Sequence, residues 1–143
     1  MAEINSPVPI YTSAGVPVTY TGAGTVASPW VNSLTNGTTY YADLGSVNFS
    51  TGVVQWVHDS SIVITSITYQ SSALNATALN AWEATAAKGW AAESAITTIA
   101  AAGGSAACPR SPLSGVGMHR LRAIIVVGAT GGSCVGFQNW KVS

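Results

Sequence analysis

Charge is the scarcest commodity in this sequence. Asp, Glu, Lys and Arg make up only 7% of its 143 residues, against roughly 25% in an ordinary globular chain. Five acidic side chains (Glu3, Asp43, Asp59, Glu83, Glu93) cancel five basic ones (Lys88, Arg110, Arg120, Arg122, Lys141). A nucleic-acid binder needs clustered Lys and Arg to neutralise phosphates. Only Arg120 and Arg122 stand close together, on one face of a strand if the chain alternates there, so nucleic acid is excluded as a partner. The same shortage argues against electrostatic attachment to a membrane. The longest apolar run, Ala123-Ile124-Ile125-Val126-Val127, is strand-sized and far too short to span a bilayer. A net charge of zero favours association, and interface cores are themselves depleted of charge. The composition therefore predicts a protein that works assembled, as a homodimer or homotrimer.

Cysteine and histidine are also rare. Cys108, Cys134, His58 and His119 have no metal-ligand spacing, so no metal is expected. Spacing alone leaves open whether the two cysteines pair. The start, Met1-Ala2-Glu3-Ile4-Asn5, has no basic n-region and no apolar h-region, which predicts cytosolic synthesis, where thiols usually stay free. A Gly-x-Ser-x-Gly elbow is absent, and both histidines read as surface or interface residues rather than triad members. Gly22-Ala23-Gly24-Thr25-Val26-Ala27 mimics a dinucleotide fingerprint, but Ser28-Pro29-Trp30 denies it the helix that would hold a pyrophosphate. That stretch reads as a loop, and no cofactor is expected. Glu83 and Glu93 could be paired as glycosidase carboxyls only by assuming a cleft that nothing else indicates. No catalytic residue is assigned, and the chain is not expected to be an enzyme.

What is present is β structure behind an extended leader. Residues 1–35 are punctuated by Pro7, Pro9, Pro17 and Pro29, which remove donors and hold the chain extended. They nevertheless carry Ile4, Val8, Ile10, Tyr11, Val16, Val18 and Tyr20, too apolar for a solvated tail. An apolar arm of this kind lies either on its own domain or on a neighbour. The expectation is that the arm packs on a partner subunit and not solely on its own sandwich, with Ile4, Val8, Ile10, Tyr11, Val18 and Tyr20 as the contact residues. Residues 36–143 read as an antiparallel β-sandwich or jelly roll. Thr38–Asp43 is rich in β-formers after the Asn36-Gly37 turn. Val53–His58 and Ile62–Tyr69 both alternate and read as a hairpin joined at Asp59-Ser60-Ser61. Pro109 and Pro112 bracket an irregular connection, and Leu121–Val127 and Ser133–Val142 are the clearest strands. The expected core is Val54, Trp56, Ile64, Leu121, Ile124, Val126, Val135 and Phe137. Residues 73–88 are alanine-rich and remain open between a loop with a helical turn and a short helix; a strand follows near Gly89–Glu93.

Five tryptophans (Trp30, Trp56, Trp82, Trp90, Trp140) suit a core first, a subunit interface second and a sugar platform third. From about residue 45 onward, Trp82-Glu83-Ala84-Thr85-Ala86 with Gly89-Trp90, the Ala101-Ala102-Gly103-Gly104-Ser105 turn, His119-Arg120-Leu121-Arg122 and Thr130-Gly131-Gly132-Ser133 resemble tailed-bacteriophage head decoration (cement) proteins of jelly-roll type. The resemblance implies a non-enzymatic virion protein, made in the host cytoplasm, that sits on the capsid exterior and bridges major capsid protein subunits. The alternative on the same fold is a carbohydrate- or host-receptor-binding module of a phage virion. Exposed Trp or Tyr beside Asn, Asp or Gln would favour it.

Overall fold

A computed structural model describes residues 6–46, 51–74, 78–85, 88–94, 96–114 and 120–141. Among the described residues nine strands follow in chain order: β1 (Ile10–Thr12), β2 (Thr39–Ser46), β3 (Thr51–His58), β4 (Ile64–Ser72), β5 (Ala91–Ala92), β6 (Ile99–Ala101), β7 (Arg110–Ser114), β8 (Arg120–Val127) and β9 (Cys134–Lys141). They form two antiparallel sheets, a β-sandwich. The larger runs β1-β2-β8-β4-β5 with β6 also on β4, and the smaller runs β7-β3-β9. Among the described residues there is no α-helix, so the alanine-rich segment, where described, is turns and loop leading into β5.

The strands adjacent in sequence are not those adjacent in space. β3 and β4 were expected to be a hairpin, yet β3 lies in the small sheet and β4 in the large one. Asp59-Ser60-Ser61 carries the chain across the sandwich instead. Each strand finds a better partner elsewhere: β3 pairs with β9 along its whole length, and β4 with β8. Leu121–Val127, the most apolar strand, takes the centre of the large sheet between β2 and β4.

The alternation of β4 hides a bulge. Strict period 2 puts Ile62 and Ile64 opposite Ile67 and Tyr69. Register shifts between Ile64 and Ser66, and this one-residue slip turns all four side chains into the same core. A bulge reverses the facing of everything beyond it. In β8 the inward set is Leu121, Ala123, Ile125 and Val127. The expectation of Ile124 and Val126 in the core is corrected: both lie half-buried on the outer face. Phe137 is likewise half-buried on the outer face of the small sheet, level with Gln55. Val135 lies on that outer face and is buried; Val54, Trp56, Ile64 and Leu121 are in the core as expected.

Trp56 ties the two sheets together. Its indole N–H donates to the Tyr69 hydroxyl at 3.0 Å, which donates to Ser111 Oγ at 2.9 Å, and Ser111 donates to the Thr97 carbonyl at 3.2 Å. The ring passes directly beneath Gly136, where a Cβ would stand 2.5 Å from it. Only glycine fits there. Pro112, expected in an irregular connection, is inside β7 opposite Val53. This is admissible because β7 is an edge strand, where a missing N–H costs no ladder bond.

Residues 6–34 are seated on both sheets. Val8 N–H donates to the Gly136 carbonyl at 2.7 Å, Asp43 N–H donates to the Pro9 carbonyl at 2.9 Å, and β1 pairs with β2. Val8, Ile10 and Leu34 belong to the core cluster, with Val18 and Tyr20 packed against it.

Candidate functional site

The residues expected to meet a partner are divided by this seating. Ile4 lies outside the described residues. Val8 and Ile10 are 2% and 1% exposed within their own core, so in this conformation they have no surface to offer. Tyr11, opposite Tyr41, is half-buried with its ring 4.9 Å from that of Trp82. Val18 is half-buried, and Tyr20 donates its hydroxyl to the Val8 carbonyl at 2.6 Å. Burial drives the Tyr20 hydroxyl pKa well above its ordinary value. The exposed apolar side chains of this region are others: Val16, Val26 and Val31.

Arg120 and Arg122 do share one face, the outer face of the large sheet, but both are buried. Arg122 Nε donates to Gln70 Oε1 at 2.9 Å, and its Nη1 donates to the carbonyls of Ala81 at 3.1 Å and Glu83 at 2.6 Å. Its guanidinium lies 4.9 Å from the Tyr41 ring centre and 4.5 Å from that of Trp90. Arg120 donates to the Leu79 carbonyl, sits 5.3 Å from the Trp90 ring and 3.6 Å from Asp43 Oδ2. Burial pulls Arg122 down to about 10, which still leaves it cationic at neutral pH. The pair is a clamp: it fastens the loop around residues 79–83 and Trp90 over the sheet. Guanidinium is suited to this because its planar donors bond carbonyls at the edge while its faces stack on rings.

The remaining candidates are structural. His58 is buried, which corrects the surface reading; its Nδ1 lies 3.0 Å from the Asp59 carbonyl. His119 lies outside the described residues. Asp59 accepts from Ser61 N–H and Oγ, Ile62 N–H and Ser133 N–H at 2.9–3.1 Å. Partial burial would raise its pKa, but these hydrogen bonds prevail and hold it below the ordinary carboxylate value. Glu83 and Glu93 make separate local contacts, Glu83 with the Thr85 N–H and Glu93 with the Ser71 hydroxyl. Both cysteines are free, Cys108 exposed and Cys134 buried.

A concave feature lies on the other side of the molecule. The glycine-rich stretch is a closed hairpin: Thr21 and Val31 exchange both backbone hydrogen bonds at 2.9 Å, and Ala23 N–H donates to the Ser28 carbonyl at 2.9 Å. Gly22 takes φ 105°, and a Cβ there would stand 2.1 Å from the Pro29 carbonyl oxygen. Any other residue would force the hairpin open. It folds over the outer face of the small sheet and leaves a groove of about 260 Å³, lined by Gly24, Thr25, Pro29, Trp30, Gln55, Val57 and Phe137. None of these is charged. The groove joins residues from three distant parts of the chain, which is why no local pattern announced it. No known protein-family model matches this chain, and no curated protein matches it.

Proposed function

We propose that this chain is a non-enzymatic virion structural protein of jelly-roll type. In this reading it decorates and stabilises a tailed-phage capsid from outside by bridging neighbouring major capsid protein subunits, and it does so as a homodimer or homotrimer. The observation that carries the reading is a surface with few charges and apolar side chains left in water. Val16, Val26 and Leu74 are exposed and stand outside the core cluster. Val16 adjoins Gly15, which lies against the Trp82 ring, and Leu74 lies against Gly89, so both border the loop held by the arginine clamp. Each large apolar side chain fully removed from water gains roughly 1.5–3 kcal/mol, more than an exposed ion pair supplies. In the N-terminal arm the roles are then split, with Val8 and Ile10 anchoring it inward and Val16 available to a partner. The fold supplies the rigid platform on which such contacts depend.

Sedimentation with capsid shells that lack a decorating protein tests the reading. The purified chain should pellet with the shells in fixed ratio and remain bound at about 1 M salt, where ionic contacts are screened within roughly 3 Å. Val16→Ser with Leu74→Ser should release it. A chain that stays in the supernatant at every salt concentration would sink the proposal. Sedimentation equilibrium at the monomer mass of 14.5 kDa would remove its oligomeric part.

A further inference from the structure

We infer that the groove between the 21–31 hairpin and the outer face of the small sheet is a binding site for a neutral pyranose, presented as a terminal or internal sugar of a glycan. The inference goes beyond capsid decoration and does not depend on it. The lining combines two aromatic residues, Trp30 and Phe137, with an amide, Gln55, and a hydroxyl, Thr25. A pyranose has this same mixture: apolar C–H faces bounded by hydroxyls that donate and accept. Aromatic residues offer an apolar body to such a face, and a few placed polar groups fix its orientation.

Three observations narrow the ligand further. First, the volume of about 260 Å³ lies just under the roughly 300–1,000 Å³ of sites for drug-sized molecules, so the groove is scaled to a single ring. Second, Gln55 makes no side-chain hydrogen bond among the described residues, while the neighbouring Thr25 Oγ1 accepts from Ser28 N–H at 3.1 Å. The amide keeps both functions available, and the hydroxyl keeps its proton to donate. Third, the wall is preformed. The paired Thr21 and Val31 fix the hairpin before any ligand arrives, which reduces the ordering cost of binding. The absence of charge from the lining points to a neutral sugar. Arg110, opposite Gln55 on the next strand, does not line the groove.

Saturation-transfer NMR with the methyl glycosides of glucose, galactose, mannose and N-acetylglucosamine, and with glucuronate, tests this. At least one neutral glycoside should receive saturation through its ring protons. Gln55→Ala, which keeps the backbone pairs of β3 with both neighbours, should weaken that signal about ten-fold, as expected for the loss of roughly 1.4 kcal/mol. Trp30→Ala should abolish it, and Arg110→Ala should leave it unchanged. The proposal is overturned if no neutral glycoside binds at millimolar concentration, if only glucuronate binds, or if Gln55→Ala and Trp30→Ala bind as well as the parent.

Discussion

The two outer faces of the sandwich are closed by opposite means. Over the large sheet, the loop around residues 79–83 and Trp90 is fastened from below by Arg120 and Arg122, whose donors are taken up by the loop carbonyls and Gln70. Over the small sheet, the 21–31 hairpin is closed by its own backbone bonds and rests on uncharged side chains. The first cover is bound to its sheet through buried cations, so the sheet surface beneath it is sealed. The second holds its own shape, so a gap can remain beneath it. In a chain with only five basic residues, giving two of them to structure says that the clamped face serves stability. The open face carries the uncharged groove, whereas the hollow of about 210 Å³ on the clamped loop is bordered by Glu83 and Lys88.

The largest effect should come from breaking the clamp. Arg122→Met removes a buried cation and leaves the Ala81 and Glu83 carbonyls and Gln70 without their donor. Each buried acceptor left without its donor costs about 1–3 kcal/mol, to be read as a lower urea midpoint together with a changed near-ultraviolet signal from Trp90. If the midpoint shifts by less than about 1 kcal/mol equivalent, the contrast between the faces is wrong.

Alkaline pH bears on the side beneath the small sheet. Burial pushes the Cys134 thiol from 9.0 to about 12, and raises Tyr69 above its ordinary 10.0. Both groups are neutral when protonated, and the folded state holds their protons more tightly than the unfolded chain. Their stabilising share is therefore complete below pH 9 and is lost as pH climbs toward 12. Urea midpoints should fall across that window, and Cys134→Ala should flatten the slope. A flat parental profile between pH 9 and 12 would contradict the burial of the thiol.

Opening the hairpin should cost less. Gly22→Ala places a Cβ against the Pro29 carbonyl in a left-handed backbone, a strain of roughly 1–3 kcal/mol. The global midpoint should move modestly while Trp30 emission shifts to longer wavelength as the groove opens. An unchanged spectrum would mean that the hairpin does not form the wall. The smallest effect belongs to Asp43→Asn, which removes the 3.6 Å ion pair with Arg120 but keeps the Arg120 bond to Leu79; it should cost under about 1 kcal/mol in the same urea series.

What the sequence makes legible divides in the same way between local and distant effects. Period-2 patterning announced β3, β4, β8 and β9, because alternation is written in neighbouring residues. It misjudged facing in β4, where a bulge at Ile64–Ser66 folds two apolar half-patterns into one core. It also put Ile124 and Val126 inside with Leu121, although alternation gives them the face of Arg120 and Arg122; the unbroken apolar run from Ala123 to Val127 has no polar residue of its own to mark the two faces. Pairing was less legible still: Asp59-Ser60-Ser61 has the composition of a hairpin turn, yet it joins two sheets. The buried roles of Arg120 and Arg122 depend on carbonyls about forty residues away, and the Trp30–Gln55–Phe137 groove depends on the hairpin folding across β3 and β9. Neither has a local signature.

The position of β8 also sets a timetable for folding. It is the strand on which β2 and β4 both pair, and β9 is the partner that runs the full length of β3. During synthesis, β2, β3 and β4 emerge as strands with their apolar rows uncovered, and wait for residues 120–141 before either sheet can close. Such non-local pairing folds slowly, and waiting strands invite contact with other nascent chains. The prolines and glycines scattered through residues 7–37 then take on a kinetic meaning. They limit this stretch to short local pairings such as Thr21 with Val31, which leave the flanking residues to lie along β2 and β9 when those finally come together.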